Sequence, residues 1–193
     1  MTDFCNFKNT MPKKALVILA DGFEEIEAMA PIDILRRAQI EVTVAGLADI
    51  KVKSSRGVNV IADKKFNETD LNFDALVLPG GGAGAKNLAA SSALKTVIVD
   101  MNKSGKVIAA ICASPAVVLA PTGILKGKTA TCFPGMEDAF GSETKFQARN
   151  VVVDGNLITS RGAGTSIEFA LSIVEKLCGK KEAEKVSKAI VLA

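Results

Sequence analysis

Short apolar runs alternate with longer stretches in which apolar and polar residues recur at helical spacing. Residues 15–20, 74–79 and 106–111 are almost continuously apolar, as strands buried on both faces of a parallel sheet should be. Residues 41–47 predict another strand. Residues 52–62 predict a hairpin around Ser54-Ser55-Arg56-Gly57, residues 128–132 a short strand, and residues 150–160 a hairpin turning at Asp154-Gly155. Between these lie the helical patterns. Residues 23–38 carry Ile26, Ala30, Ile34 and Leu35 at helical spacing, opened by Asp21 and Glu24 as a capping pair, with Pro31 predicting a kink or restart. Residues 85–90 and 92–103 predict two more helices, the second stopped by Gly105. Thr165 and Glu168 predict a capping box for a helix bearing Ile167, Ala170, Leu171, Val174 and Leu177. Residues 181–191 predict the last helix, and residues 136–147 read as loop. Strand and helix alternate throughout, which implies an α/β fold with a mostly parallel central sheet.

One junction differs from the rest. The strand at 106–111 runs straight into Cys112, followed by Ala113, Ser114 and Pro115. Ser114 suits an N-cap and Pro115 the first turn of a helix. Strand, sharp turn and helix would lift the Cys112 side chain out of the backbone, beside free N–H groups that favour thiolate. A cysteine here is equally well read as a small buried hydrophobe, and this stretch alone leaves both readings standing.

Composition narrows the chemistry. The chain has 193 residues, 48% hydrophobic and 23% charged, with a net charge of +3. That suits one soluble domain over residues 14–193 behind a polar tail, residues 1–13, which has no apolar signal core. There is no Trp, no Tyr and no basic run, so no nucleic-acid partner is expected. The longest apolar stretch is too interrupted to span a bilayer, so no membrane partner is expected either. The four cysteines, Cys5, Cys112, Cys132 and Cys178, form no CxxC. A chain of this size does not need disulfides, and a reducing, cytoplasmic location is the expectation. There is no histidine. That excludes a Ser-His-Asp triad and a Cys-His dyad supplied by this chain, and makes a metal site improbable; no cofactor is expected.

In parallel sheets the site lies beyond the carboxyl ends of the strands. Three loops with suitable chemistry arrive there: 21–27, 80–84 and the Cys112 turn. Gly80-Gly81-Gly82-Ala83-Gly84 matches neither GxGxxG nor the P-loop pattern. It can instead form a nest of N–H groups able to hold an oxyanion, or simply a tight turn. Glu24, Glu25 and Glu27 crowd one helix start. Glu24 and Glu27 share a side. A carboxyl buried beside a thiol would have a raised pKa and could shuttle a proton, but spacing does not say which glutamate does so. Arg56 and Arg161 sit in Ser-Arg-Gly turns and read as surface arginines or anion-binding groups. Cys132 reads as a strand-end thiol near the pocket or as core.

Together, Ala109-Ala110-Ile111-Cys112-Ala113, Leu78-Pro79-Gly80-Gly81, the stretch from Ala15 to Glu27, and Thr159-Ser160-Arg161-Gly162-Ala163-Gly164-Thr165-Ser166 resemble the Parkinsonism-associated protein deglycase (DJ-one) family of the PfpI-like superfamily. The resemblance covers about residues 13 to 193 in one collinear order. It implies a flavodoxin-like three-layer sandwich and a homodimer. It puts the family's nucleophile, readily oxidised to the sulfinic acid, at Cys112 and its protonated glutamate at Glu27. It puts the oxyanion donors at Gly81 and Ala113, and an arginine reaching the site from the dimer partner at Arg56. Gly80, Cys132, Phe133 and Ala163 would line the pocket. The implied activity is a glutathione-independent glyoxalase or protein deglycase, acting on small dicarbonyls such as methylglyoxal or on glycated protein. The alternative is a redox-sensing, chaperone-like dimer; a peptidase is disfavoured without histidine. Two departures stand out. Many relatives read Thr-His-Pro where this chain reads Thr131-Cys132-Phe133-Pro134, and often Pro where it has Ala163.

Overall fold

The structure is a computed structural model and describes residues 11–192. Cys5 and most of the expected tail lie outside the described residues. In chain order the elements are β1 (Lys14–Leu19), α1 (Glu25–Arg37), β2 (Glu41–Gly46), β3 (Lys51–Lys53), β4 (Asn59–Ile61), β5 (Lys64–Lys65), β6 (Ala75–Leu78), α2 (Gly82–Ala90), α3 (Ser92–Lys103) and β7 (Val107–Ile111). There follow β8 (Thr129–Ala130), β9 (Lys145–Phe146), β10 (Val151–Asp154), β11 (Leu157–Ser160), α4 (Ser166–Cys178) and α5 (Lys180–Ala189).

Seven strands form one sheet in the order β10-β11-β7-β6-β1-β2-β5. Every neighbouring pair is parallel except β10 with β11, the predicted hairpin. β3 and β4 form the second predicted hairpin. The apolar runs are central strands because both their faces are covered. In β1, Ala15, Val17 and Leu19 enter one core layer with Phe169, Ile173 and Val174 of α4. Leu16 and Ile18 enter the other with Leu88 of α2 and Leu94 and Ile98 of α3. Alternation of side chains along a strand divides them this way. The result is the expected three-layer α/β sandwich. Among the described residues no helix is long and apolar enough to cross a membrane.

The path of the chain selects the place for a site. β1 leads to β2 on one side, and the chain then returns to lay β6 on the other. The crevice where strand order reverses, between the ends of β1 and β6, is where such sheets bind ligands. The loops after β1, β6 and β7 meet there.

Several local expectations are corrected. The helix after Cys112 is not α-helical: residues Pro115–Leu119 form a π-type turn, followed by a 3-10 turn at Ala120–Thr122. Ser114 caps nothing and is itself in helical geometry. The N-cap of α1 is Glu24, whose carboxylate accepts from the Glu27 N–H at 2.9 Å. Asp21 instead accepts from the Lys53 N–H. α1 runs through Pro31 without a restart. The Thr165–Glu168 capping box does not form: the Thr165 hydroxyl turns to Ser160 and Gly162, and Glu168 accepts from Asn150. The 136–147 stretch holds a 3-10 turn at Glu137–Phe140 and the strand β9.

Candidate active site

Cys112 follows directly on β7 and adopts φ +65°, a left-handed conformation that an L-residue takes only when its surroundings impose it. Here the constraint is visible on both sides. The Cys112 N–H donates to the Ser160 carbonyl at the end of β11 (2.9 Å), and its carbonyl accepts from the Phe133 N–H (2.8 Å). The fully buried Ser114 hydroxyl donates to the Pro79 carbonyl (2.6 Å), fastening the turn to the loop after β6. The thiol remains partly exposed.

Gly80 is glycine for want of space. A Cβ there would lie 2.6 Å from the Cys112 Cβ and 2.6 Å from Glu27 Oε2. Its N–H donates to Glu27 Oε2 (2.9 Å), and its carbonyl accepts from the Glu24 N–H (3.1 Å). Gly81 caps α2 with φ +90°, and a Cβ on it would meet the Gly22 carbonyl oxygen at 2.3 Å. The glycine run thus lets the loop after β6 close against the loop after β1.

The three glutamates separate by their partners. Glu24 caps α1. Glu25 accepts from the Ser54 hydroxyl, the Ser55 hydroxyl (3.2 Å) and the Arg56 N–H (2.8 Å), holding the tip of the β3–β4 hairpin. Glu27 is only 1% exposed and faces Cys112, so of the three it is the one buried beside the thiol.

Burial pushes the Glu27 carboxyl up to about 7, with the Glu24 carboxylate adding to the rise; hydrogen bonds from Cys112 and the Gly80 N–H oppose it. The Cys112 thiol is likewise pushed up, to about 12, by burial first and by the Glu27 carboxylate second. The N–H groups of Gly81 and Ala113 pull it back. Carboxyl and thiol titrate as one unit. With Glu27 ionised, its charge opposes thiolate. With Glu27 protonated, that opposition vanishes and the two N–H groups face the sulfur. The expectation of a thiolate favoured by the following helix is therefore corrected: the five-residue π-type turn is too short to supply a dipole, and Gly81 and Ala113 supply the donors.

The other predicted residues fall as follows. Cys132 is fully buried, its thiol pushed up to about 11 by burial and the Glu137 carboxylate against the opposing charge of Arg161. Phe133 is 47% exposed beside Gly162. A Cβ on Gly162 would sit 3.6 Å from the Phe133 ring and 3.9 Å from Glu27 Oε1. The wall near Glu27 thus includes Gly162, part of the Arg161–Thr165 loop that the family resemblance puts at the edge of the site. Ala163 follows it, opening a 3-10 turn. Arg56 is exposed on the hairpin tip, held through its backbone by Glu25 and not brought to Cys112 by this chain. Ser114 was legible only as a cap, because its true acceptor lies 35 residues away. A separate cleft of about 320 Å³ beyond β1 and β2, lined by Asp21, Leu47, Asp49, Lys51 and Asn87, contains no cysteine.

An elbow thiol, a buried carboxyl able to hold or release a proton near neutrality, and two N–H donors at the sulfur are groups with the chemistry to attack an electrophile and to hold an oxyanion. The family model of the DJ-1/PfpI family matches residues 13–176. The chain belongs to the DJ-1/PfpI family. It is 48% identical to Protein DJ-1 homolog B of Arabidopsis thaliana over 92% of its own length, although it spans only 41% of that longer protein. It is 35% identical to the Glutathione-independent glyoxalase DJR-1.2 of Caenorhabditis elegans, covering 94% of this chain and 97% of that one. The crystal structure of Drosophila melanogaster DJ-1beta superposes with a TM-score of 0.91 at 44% identity, covering 95% of this chain and all of the other. The DJ-1 fold is thereby confirmed.

Proposed function

We propose that the protein is a cysteine-dependent, glutathione-independent glyoxalase, acting on small dicarbonyls such as methylglyoxal and on their early adducts with protein. The observation that carries this reading is the pairing of Cys112 with buried Glu27, with the Gly81 and Ala113 N–H groups at the sulfur. The glyoxalase named among its relatives supports it. The Cys112 thiol gives its proton to Glu27 and attacks the aldehyde carbon, forming a C–S bond. Glu27 passes that proton to the new alkoxide, which sits at the N–H groups of Gly81 and Ala113, so the adduct becomes a hemithioacetal and Glu27 a carboxylate again. Glu27, as carboxylate, removes the proton from the former aldehyde carbon and returns it to the neighbouring carbon. With the hydroxyl proton passing from the first oxygen to the second, this leaves a 2-hydroxyacyl thioester on Cys112. Water cleaves the thioester, releasing the hydroxy acid and restoring the thiol. The sum is dicarbonyl plus water giving hydroxy acid, with no external redox partner.

We further infer a homodimer, in which Arg56 of one hairpin tip approaches the partner's site. The covalent step is tested by rapid acid quench after mixing with methylglyoxal, followed by mass spectrometry. An adduct with the mass of one methylglyoxal on the Cys112 peptide is expected. Its absence there, with adducts only on lysine and arginine, would sink the reading.

A second reading is a redox sensor. Its support is the same set of donors: Gly81, Ala113 and a protonated Glu27 can hold the oxygens of an oxidised Cys112 sulfur as they would an alkoxide. Oxidation of Cys112 by mild peroxide ahead of the other cysteines, without dicarbonyl turnover, would favour it.

A further inference from the structure

Cys132 is a buried nucleophile for which the carbonyl mechanism has no use. It is 0% exposed. It directly precedes Phe133, whose N–H donates to the Cys112 carbonyl at 2.8 Å. That bond fixes how far apart the two cysteines stand. Each Cα lies roughly 2.4 Å from the hydrogen-bonding atom of its peptide, so the Cα atoms are at most roughly 7.6 Å apart with the bonds in line. The near-120° angles at the peptide atoms shorten this into the range of about 4.4–6.8 Å that a disulfide spans. The two residues also border the same packed layer: Cys132 belongs to the core on the α2–α3 side of the sheet, and Cys112 packs against it.

We propose that Cys132 is a resolving thiol, which captures the sulfenic acid of Cys112 as an intrachain disulfide. This rests on the reading that Cys112 is a reactive, oxidisable thiol. The two sulfurs differ in access. Cys112 is partly exposed and meets a peroxide in solution; Cys132 is sealed from solvent and meets only what Cys112 carries. In the first step the Cys112 thiolate attacks a peroxide oxygen. The O–O bond breaks, an S–O bond forms, and the alkoxide or hydroxide leaves with a proton. In the second step the Cys132 sulfur attacks the Cys112 sulfur. The S–S bond forms and the S–O bond breaks, and the hydroxyl departs as water with the Cys132 proton. Peroxide is the oxidant, and the net change is two hydrogens lost from the protein. The disulfide stops Cys112 short of the irreversible sulfinic acid and leaves it recoverable by a dithiol.

The test uses the full chain with a small molar excess of hydrogen peroxide, enough for two oxygens per thiol, then alkylation, non-reducing digestion and mass spectrometry. The wild type should lose two hydrogens and yield a linked Cys112–Cys132 peptide that dithiothreitol releases. Cys132→Ser and Cys132→Ala should give no such peptide, and should carry Cys112 on to the sulfinic acid, which dithiothreitol does not reverse. A wild type that gains two oxygens at Cys112 as readily as these variants, with no linked peptide, would overturn the proposal while leaving Cys112 a reactive thiol. A Cys112 that takes up no oxygen and forms no link would overturn the reactive-thiol reading, and this proposal with it. The linked peptide is read on the wild type, so the test holds if a variant fails to fold.

Discussion

Replacing Glu27 by glutamine should remove a specific part of the pH dependence of stability. Glu27 is 1% exposed, and burial raises its carboxyl from the ordinary 4.5 to about 7. That difference corresponds to about 3 kcal/mol between the two protonation states. At acid pH, below 4.5, Glu27 is protonated in folded and unfolded chains alike, and the contribution is fully present. As pH rises, the unfolded chain ionises first and the folded state loses ground. Once the pH has passed about 7 the full amount is gone. Glutamine keeps a carbonyl oxygen for the Gly80 N–H and does not titrate. The assay is urea unfolding of both proteins at a series of pH values. The stability of wild type minus that of Glu27→Gln should fall by about 3 kcal/mol between about pH 4 and about pH 8. Parallel curves across that range would refute a buried, titrating Glu27. A Cys112→Ala background should move the midpoint upward, because the Cys112 hydrogen bond holds the Glu27 pKa down.

Three further outcomes follow from the site's construction. Gly80→Ala forces a Cβ to 2.6 Å from both Cys112 and Glu27, and should cost about 1–3 kcal/mol in chemical denaturation while abolishing methylglyoxal turnover. Cys112→Gly and Cys112→Ala both lack the thiol, yet the glycine variant should be more stable by about 1 kcal/mol in urea, since only alanine carries a Cβ at φ +65°; equal stabilities would remove the case for a strained elbow. Glu25→Ala releases the Ser54, Ser55 and Arg56 hydrogen bonds, and should speed hydrogen exchange at the Arg56 amide while leaving that of the Gly80 amide unchanged.

What could be read in advance divides along local and long-range lines. The strands β1, β6 and β7 stood out because both faces of each are buried, and Ser92–Lys103 because its stop at Gly105 is local, as is the Ser91 cap that the structure adds. The elbow was legible because a strand ended in cysteine before Ser-Pro. The turn type beyond it was not, since Ser114 takes the Pro79 carbonyl as its partner instead of the helix start. The glutamates show the same limit. Their sorting depends on Gly80, which comes 53 residues after Glu27, and on a hairpin tip about 30 residues after Glu25. Helical spacing carries no record of either. The Arg161–Thr165 loop was legible as a site edge only through the family resemblance; the space Gly162 leaves beside Glu27 and Phe133 is revealed only by the folded chain.

The most direct test of the central claim is hydroxy-acid formation from methylglyoxal without glutathione, measured for wild type, Cys112→Ala and Glu27→Gln. Lactate from the wild type, none from Cys112→Ala and a severe loss in Glu27→Gln would establish thiol and carboxyl as one catalytic unit working without histidine. Full turnover by Cys112→Ala, or none by the wild type, would contradict it.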